Sequence, residues 1–257
     1  MAAQTGQKPT LWQIDISHYS EKARWALEYK GIDHRRRSPL PGTHIPIALA
    51  LTRGGQMTMP VLQIDGENVG DSTAIIAALE ARFPDPPLYP ADPEERARAL
   101  ELEDWFDENL GPHARLLPFY ELTQEPDLFA EVAAAAVPGP LGKAKPLVGA
   151  YARTYTRLRW NADSDADAEQ AREAIVAALD KLEAELEQGD GEFLVGESFS
   201  VADLTAASLF YPLVVPPEGP LATDLPRPPA LERFRESLSK RRGYKWIEET
   251  FRKHRRR

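Results

Sequence analysis

Apolar residues recur along this chain in two rhythms, and the change between them divides it. Leu11-Trp12-Gln13-Ile14-Asp15-Ile16 reads as a strand. The helical pattern then starts, with Ala23, Ala26, Leu27 and Lys30 at the i, i+3, i+4, i+7 spacing of one buried face, Lys30 through its stem. His34-Arg35-Arg36-Arg37 reads as a short second strand whose arginines suit a sheet edge or contact with an acidic ligand group, and Ile45 to Leu51 as a short helix inside a loop. Val61 to Ile64 and Glu67 to Val69 make a hairpin around Asp65-Gly66, a strong two-residue turn signal. Pro60 lacks a ladder donor, so it opens that strand or sits in a special turn, where a cis bond is open to it. Asp71-Ser72-Thr73 caps a helix with core positions Ile75, Leu79 and Phe83.

The proline-rich run Phe83 to Pro93 ends this mixed front half, and only helical patterns follow. A long helix is expected from Glu94 to about Leu117, with Asp104 and Asn109 either facing a partner or serving as buried caps. Val137-Pro138-Gly139-Pro140 breaks the next helical region, which resumes from Leu141 to Trp160. Asp163 to Asp167 reads as a solvated acidic loop, lacking the glycine and terminal glutamate of a calcium hand. A clean amphipathic helix from Glu169 to Glu187 follows. Ser200-Val201-Ala202-Asp203 has the form of a capping box opening a helix to Leu213, and short helices near 230–240 and 244–253 close the chain.

Composition narrows the chemistry. With 257 residues, 42% hydrophobic and 28% charged, the chain can bury one large core or two modest ones. No run of about 18 apolar residues is present, and Met1 to Lys8 has no apolar signal core, so a cytoplasmic protein without a membrane span is expected. There is no cysteine, which excludes disulfides, thiolate metal sites and thiol–disulfide exchange through a protein thiol. The five histidines have no ligand spacing, and no metal is expected. The net charge of −9 arises entirely beyond residue 90, although Lys240 to Arg257 is itself basic. That tail reads as a solvated end. Nucleic-acid binding is not expected, because no aromatic residues interleave with the basic ones.

Two helix heads carry candidate chemistry. Ser17 caps the first helix, where free N–H groups and the dipole favour an anion such as a thiolate. A plain capping role explains Ser17 equally well. Ser72 heads another helix and offers a carboxylate site, beside Asp71 for an ammonium.

Strand–Ser17–helix, Met59-Pro60-Val61-Leu62, Asp71-Ser72-Thr73-Ala74-Ile75 and a helical half bearing Ser200-Val201-Ala202-Asp203 occur in one order. In that order the chain resembles the cytosolic glutathione S-transferase superfamily, as a serine-type, bacterial-like member. The resemblance implies an α/β thioredoxin-like N-terminal domain at 1–84, a proline-rich linker at 85–93 and an all-α C-terminal helical domain at 94–257. It implies glutathione as co-substrate, its sulfur bound by Ser17 (alternatively Ser20), its cysteinyl part by the Met59 backbone before the cis-proline Pro60, and its γ-glutamyl end by Asp71 and Ser72. Thr58 stands where many members carry a lysine, so a glutathione carboxylate would need Arg37, His44 or Arg53 instead. His18, Phe119, Tyr120 and Trp160 are candidates for the electrophile pocket. The expected function is attack of the glutathione thiolate on a small hydrophobic electrophile, in a homodimer. The alternatives are a non-catalytic binding or assembly module of the same fold, or an enzyme using a different low-molecular-weight thiol.

Overall fold

The computed structural model describes residues 8–40, 42–135, 137, 139–189 and 191–255. The leader reading of Met1 to Gln7 lies outside these residues, as do Pro138 and Arg256–Arg257. The front half folds as strand β1 (Thr10–Trp12), helix α1 (His18–Tyr29), strand β2 (Arg35–Arg37), helix α2 (His44–Leu51), strands β3 (Val61–Ile64) and β4 (Glu67–Gly70), and helix α3 (Ser72–Arg82). The sheet order is β2-β1-β3-β4, with β1 parallel to β2 and antiparallel to β3. This is the βαβ–ββα arrangement of a thioredoxin-like domain. The three arginines of β2 fit its edge place, all being exposed. The hairpin turns through Asp65 and Gly66, both at positive φ (50° and 83°), the twist that a two-residue loop requires. Met59–Pro60 is cis, directly before β3.

The remainder is helical: α4 (Pro93–Asn109), α5 (Gly111–Gln124), α6 (Pro126–Ala135), a 3-10 turn at Gly139–Lys143, α7 (Lys145–Trp160), α8 (Asp165–Gln188), α9 (Val201–Val214), α10 (Pro229–Leu238) and α11 (Arg242–His254). The capping box is formed, with Asp203 accepting from the amides of Leu194 and Ser200 at 2.8 Å each.

Several expectations are corrected here. The helix foreseen to Leu117 is two helices meeting at Leu110, because Pro112 has no N–H to continue the first ladder and instead suits the opening turn of a second. Asp104 and Asn109 are exposed; the buried polar residue of α4 is Glu103. Helix α7 starts at Lys145 rather than Leu141. Only the first part of the acidic segment is a loop: Ser164 caps α8, and Asp165 and Asp167 lie in its first turn, where the dipole favours them. Phe83 is only half-buried, at the C-cap of α3.

Helix α1 is enclosed rather than amphipathic, because α3 covers one side and α9 the other. Its Trp25 is fully buried, 4.6 Å from the Phe251 ring, and donates to the His254 carbonyl at 3.1 Å. The Lys30 ammonium, not only its stem, is buried, on Glu80 at 2.5 Å and on the carbonyls of Phe83 and Pro86. The basic tail is pinned as far as Arg255, which pairs with Glu28 and, at 2.5 Å, with fully buried Glu21. A buried carboxylate needs a counter-charge, and the tail supplies it.

Candidate active site

The chain leaving β1 turns into α1 under several local constraints. Ser17 N–H donates to the Ile14 carbonyl at 3.0 Å, and Tyr211 from α9 donates to the Ile16 carbonyl. Ser17 keeps extended backbone angles (φ −80°, ψ 127°), and its Oγ accepts the Ser20 amide at 3.3 Å. This leaves the Ser17 hydroxyl proton available, and the residue is half-buried on the wall of a cavity. Ser20 is different. It is fully buried, its Oγ accepts the Ile14 amide at 3.1 Å, and it does not line the cavity.

Met59, Pro60 and Thr58 border the same cavity from the sheet side. The Gln56 side-chain amide donates to the Thr58 and Pro60 carbonyls at 2.8 and 3.0 Å, which holds the turn around the cis bond. At the head of α3, Asp71 sits at φ 69°, an uncommon angle for a non-glycine residue. Its Oδ1 accepts the Thr73 and Ala74 amides at 2.9 and 3.1 Å, which fixes the carboxylate over the helix start. Ser72 is buried and also faces the cavity.

Behind α3 lies a buried ionic cluster that joins the two halves. Lys22 Nζ, wholly buried, contacts Asp107 at 2.6 Å, Glu103 at 2.8 Å and the Thr73 hydroxyl at 2.8 Å, while Thr73 donates to Asp107 at 2.7 Å. Burial alone would lower the Lys22 pKa, but the Asp107 and Glu103 carboxylates hold it above its ordinary value. Burial pushes the Glu103 carboxyl above its ordinary value, against the opposing effect of the Lys22 charge.

The cavity measures about 1220 Å³ and runs between the α/β half and helices α5 to α7. Phe119 and Trp160 stack in its far wall with ring centroids 4.8 Å apart. His18 is 3% exposed in the wall beside Ser17, and its Nε2 has no hydrogen-bond partner. Burial, then the nearby Arg115 charge, lower its pKa to about 3, so the ring is neutral at physiological pH. His44 lines the cavity too, with its Nε2 3.4 Å from the Tyr155 hydroxyl.

Three expected positions fall elsewhere. The Tyr120 hydroxyl donates to Asp165 Oδ1 at 2.6 Å, on the opposite side of α5 from the residues that line the cavity. Arg37 is exposed on the edge strand with its guanidinium over Trp12, and Arg53 is exposed in a left-handed turn (φ 53°); neither borders the cavity. Conversely, sequence reasoning passed over Arg115, Tyr155 and Arg159. The signal was present: Arg115, Pro118, Phe119 and Leu122 share one helical stripe, as do Tyr151, Ala152, Tyr155 and Arg159, and all face the cavity.

A thioredoxin-like sheet domain joined to a helical domain, with a capped helix head and a cis-proline turn opening on the cleft between them, defines the class of glutathione-transferase-fold proteins. The chain matches the family descriptions "Glutathione S-transferase, N-terminal domain" over residues 11–87 and "Glutathione S-transferase, C-terminal domain" over residues 151–237. The chain belongs to the cytosolic glutathione S-transferase superfamily. It is 26% identical over 211 residues to maleylacetoacetate isomerase of Rattus norvegicus, covering 78% of this chain and 76% of that one. Among solved structures, a glutathione transferase from Phanerochaete chrysosporium superposes with a TM-score of 0.62 at 21% identity, covering 95% and 96% of the two chains. The theta-class enzyme of Xanthomonas axonopodis, solved with glutathione bound, gives 0.55 at 24% identity, covering 93% and 95%. These structural likenesses are likenesses of fold.

Proposed function

We propose that the chain activates the glutathione thiol at the head of α1 and presents it to a small electrophile held against the helical wall. The observation that carries this reading is the Ser17 hydroxyl, which accepts from its own helix yet keeps its proton for a ligand in the cavity. In this reading Ser17 donates to the thiolate and the α1 dipole adds to the effect. The Met59 backbone pairs with the cysteinyl part, while Asp71 and Ser72 take the γ-glutamyl ammonium and carboxylate. A free thiol titrates near pH ~8.5, and each unit of depression corresponds to about 1.4 kcal/mol. The bound thiolate attacks an electrophilic carbon beside Phe119 and Trp160. Isomerisation, the reaction named for the rat relative, fits the same site when the thiolate adds to a conjugated carbon and leaves again.

The domain limits 1–84, 85–93 and 94–257 and a homodimer belong to this proposal. A monomeric mass in sedimentation at micromolar concentration refutes the dimer.

Calorimetric titration with reduced glutathione and with S-hexylglutathione tests the reading. Binding between about −8 and −4 kcal/mol, micromolar to millimolar, is expected for glutathione, with tighter binding of the hexyl derivative. Ser17→Ala should keep that binding while raising the bound thiol's pKa by about one unit, read from thiolate absorbance against pH. No heat and no thermal stabilisation from either ligand would overturn glutathione as the thiol. Gln56 is already engaged and Thr58 replaces the usual lysine, so a different low-molecular-weight thiol would be tested next.

A further inference from the structure

The wall of the cavity opposite the thiol carries positive charge that nothing in the fold uses. Arg115 on α5 is half-buried; its Nε is closed off from solvent and has no hydrogen-bond partner. Its guanidinium lies over the Trp160 ring, 5.1 Å from the centroid. Arg159, the residue before Trp160 at the end of α7, lines the cavity as well. Among the described residues neither arginine makes an ion pair, whereas Arg227, another cation of the cavity lining, is paired with Glu232. Burial and then Arg159 lower the Arg115 pKa, with Tyr19 and Tyr155 opposing; no carboxylate acts on it. The acidic residues of the lining, Asp71, Asp104, Asp107 and Glu108, come from the head of α3 and from α4. His44, at the head of α2, has its pKa lowered by burial and then by the Arg159 charge.

A guanidinium taken out of water without an anion is costly, and the cost is recovered when an anion arrives. The stacked Phe119–Trp160 pair and the Tyr155 ring edge-on to Trp160 (5.6 Å) supply an aromatic wall beside the charge. The position is separate from the places given above to the thiol ligand, which lie at Ser17, Met59 and the head of α3.

We propose that Arg115 and Arg159 form an anion subsite for the acceptor, so that the electrophile is a conjugated or aromatic carboxylate whose acid group meets the arginines while its apolar body lies along the aromatic wall of Phe119, Tyr155 and Trp160. This names the acceptor class of the proposed active site and rests on the thiol reading for its chemistry, though not for its binding. A planar carboxylate offers the two oxygens that a guanidinium fork engages together. His18 Nε2, a neutral acceptor near Arg115, sets a further preference for a donor group on the same ligand.

The test uses the full chain without any thiol, titrating trans-cinnamate and, separately, cinnamamide, its uncharged near-isostere, followed by calorimetry and tryptophan fluorescence. Cinnamate should bind at least about tenfold more tightly than the amide, with a preference that shrinks as salt rises. Arg115→Met and the exposed-site variant Arg159→Met should each reduce the preference several-fold, and the double variant should abolish it. Arg115→Lys, which keeps charge but not the fork, should retain part of it. Equal binding of acid and amide, or a preference unchanged in the double variant, overturns the proposal. So does a double variant that loses S-hexylglutathione binding while keeping cinnamate, because the charges would then serve the thiol ligand. A preference for cinnamate in a chain that binds no glutathione supports the subsite and refutes only the thiol.

Discussion

Lys22 on α1 is buried and Arg115 on α5 is half-buried, and the two cations are housed in opposite ways. Lys22 is surrounded: two carboxylates and a hydroxyl lie within 2.8 Å of its ammonium, from α3 on one side and α4 on the other. Arg115 lies over the Trp160 ring with its Nε unanswered among the described residues, and the charge that acts on it is another arginine's. In the first arrangement the counter-charges belong to the chain, and they fasten the two halves together. The second is complete only with something from outside. A buried charge therefore reads as structure or as site according to whether its counter-charge is part of the fold.

The comparison can be broken most directly at Lys22. Lys22→Met leaves Glu103 and Asp107 facing each other without a cation and should cost about 3–5 kcal/mol in urea unfolding. A loss below about 1 kcal/mol would show that the cluster does not hold the halves together. Asp203→Ala strips the acceptor from two buried amides and should cost about 2–3 kcal/mol by the same measurement.

Proton linkage sharpens the contrast further. Asp203 is pushed by burial to about 6, against an ordinary 3.8. The folded chain thus takes up this proton before the unfolded chain does, which adds stability as the pH falls from about 6 towards 3.8. His18 has the opposite sign: held near 3, it stays neutral in the fold while the unfolded chain protonates below 6.5, so acidification removes stability. Asp203→Asn should therefore steepen the acid-side loss, visible as a larger fall in the urea midpoint between pH ~6.5 and ~4.5. An unchanged slope would place the Asp203 pKa near its ordinary value. Ser17→Ala, a lost N-cap, should cost about 1 kcal/mol, separate from its effect on the thiol. Smallest of all, Arg115→Met should stay within about 1 kcal/mol of the parent, since it removes an unpaired charge and leaves an apolar side chain against Trp160. A loss comparable to that of Lys22→Met would make Arg115 part of the scaffold.

Much of the architecture was legible because it is written in local rules. The period-2 and period-3.6 rhythms, Asp65-Gly66, the caps at Ser17 and Asp71, and the Ser200–Asp203 box each specify their own backbone. Gly111-Pro112 was equally local, and its missing N–H marked the break in the long helix that the apolar pattern alone concealed. The heads of α1 and α3 were readable for the same reason: cap residues and helix starts are neighbours in sequence. The far wall was not, since Phe119, Arg115 and Trp160 meet only because α5 and α7 pack across the cleft. Tyr120, next to Phe119, points away from it because successive helical residues are about 100° apart.

By itself, the sequence determined the elements, their caps and turns, the absence of cysteine chemistry and the order of motifs that marks the superfamily. Tertiary structure alone decided which charges are answered. Lys22 meets Glu103 from more than eighty positions away, Arg255 meets Glu21 from the far end of the chain, and Arg115 makes no ion pair among the described residues. A charge in sequence has a sign but no neighbours, and its free energy is set by which groups the packed helices bring within a few ångströms of it.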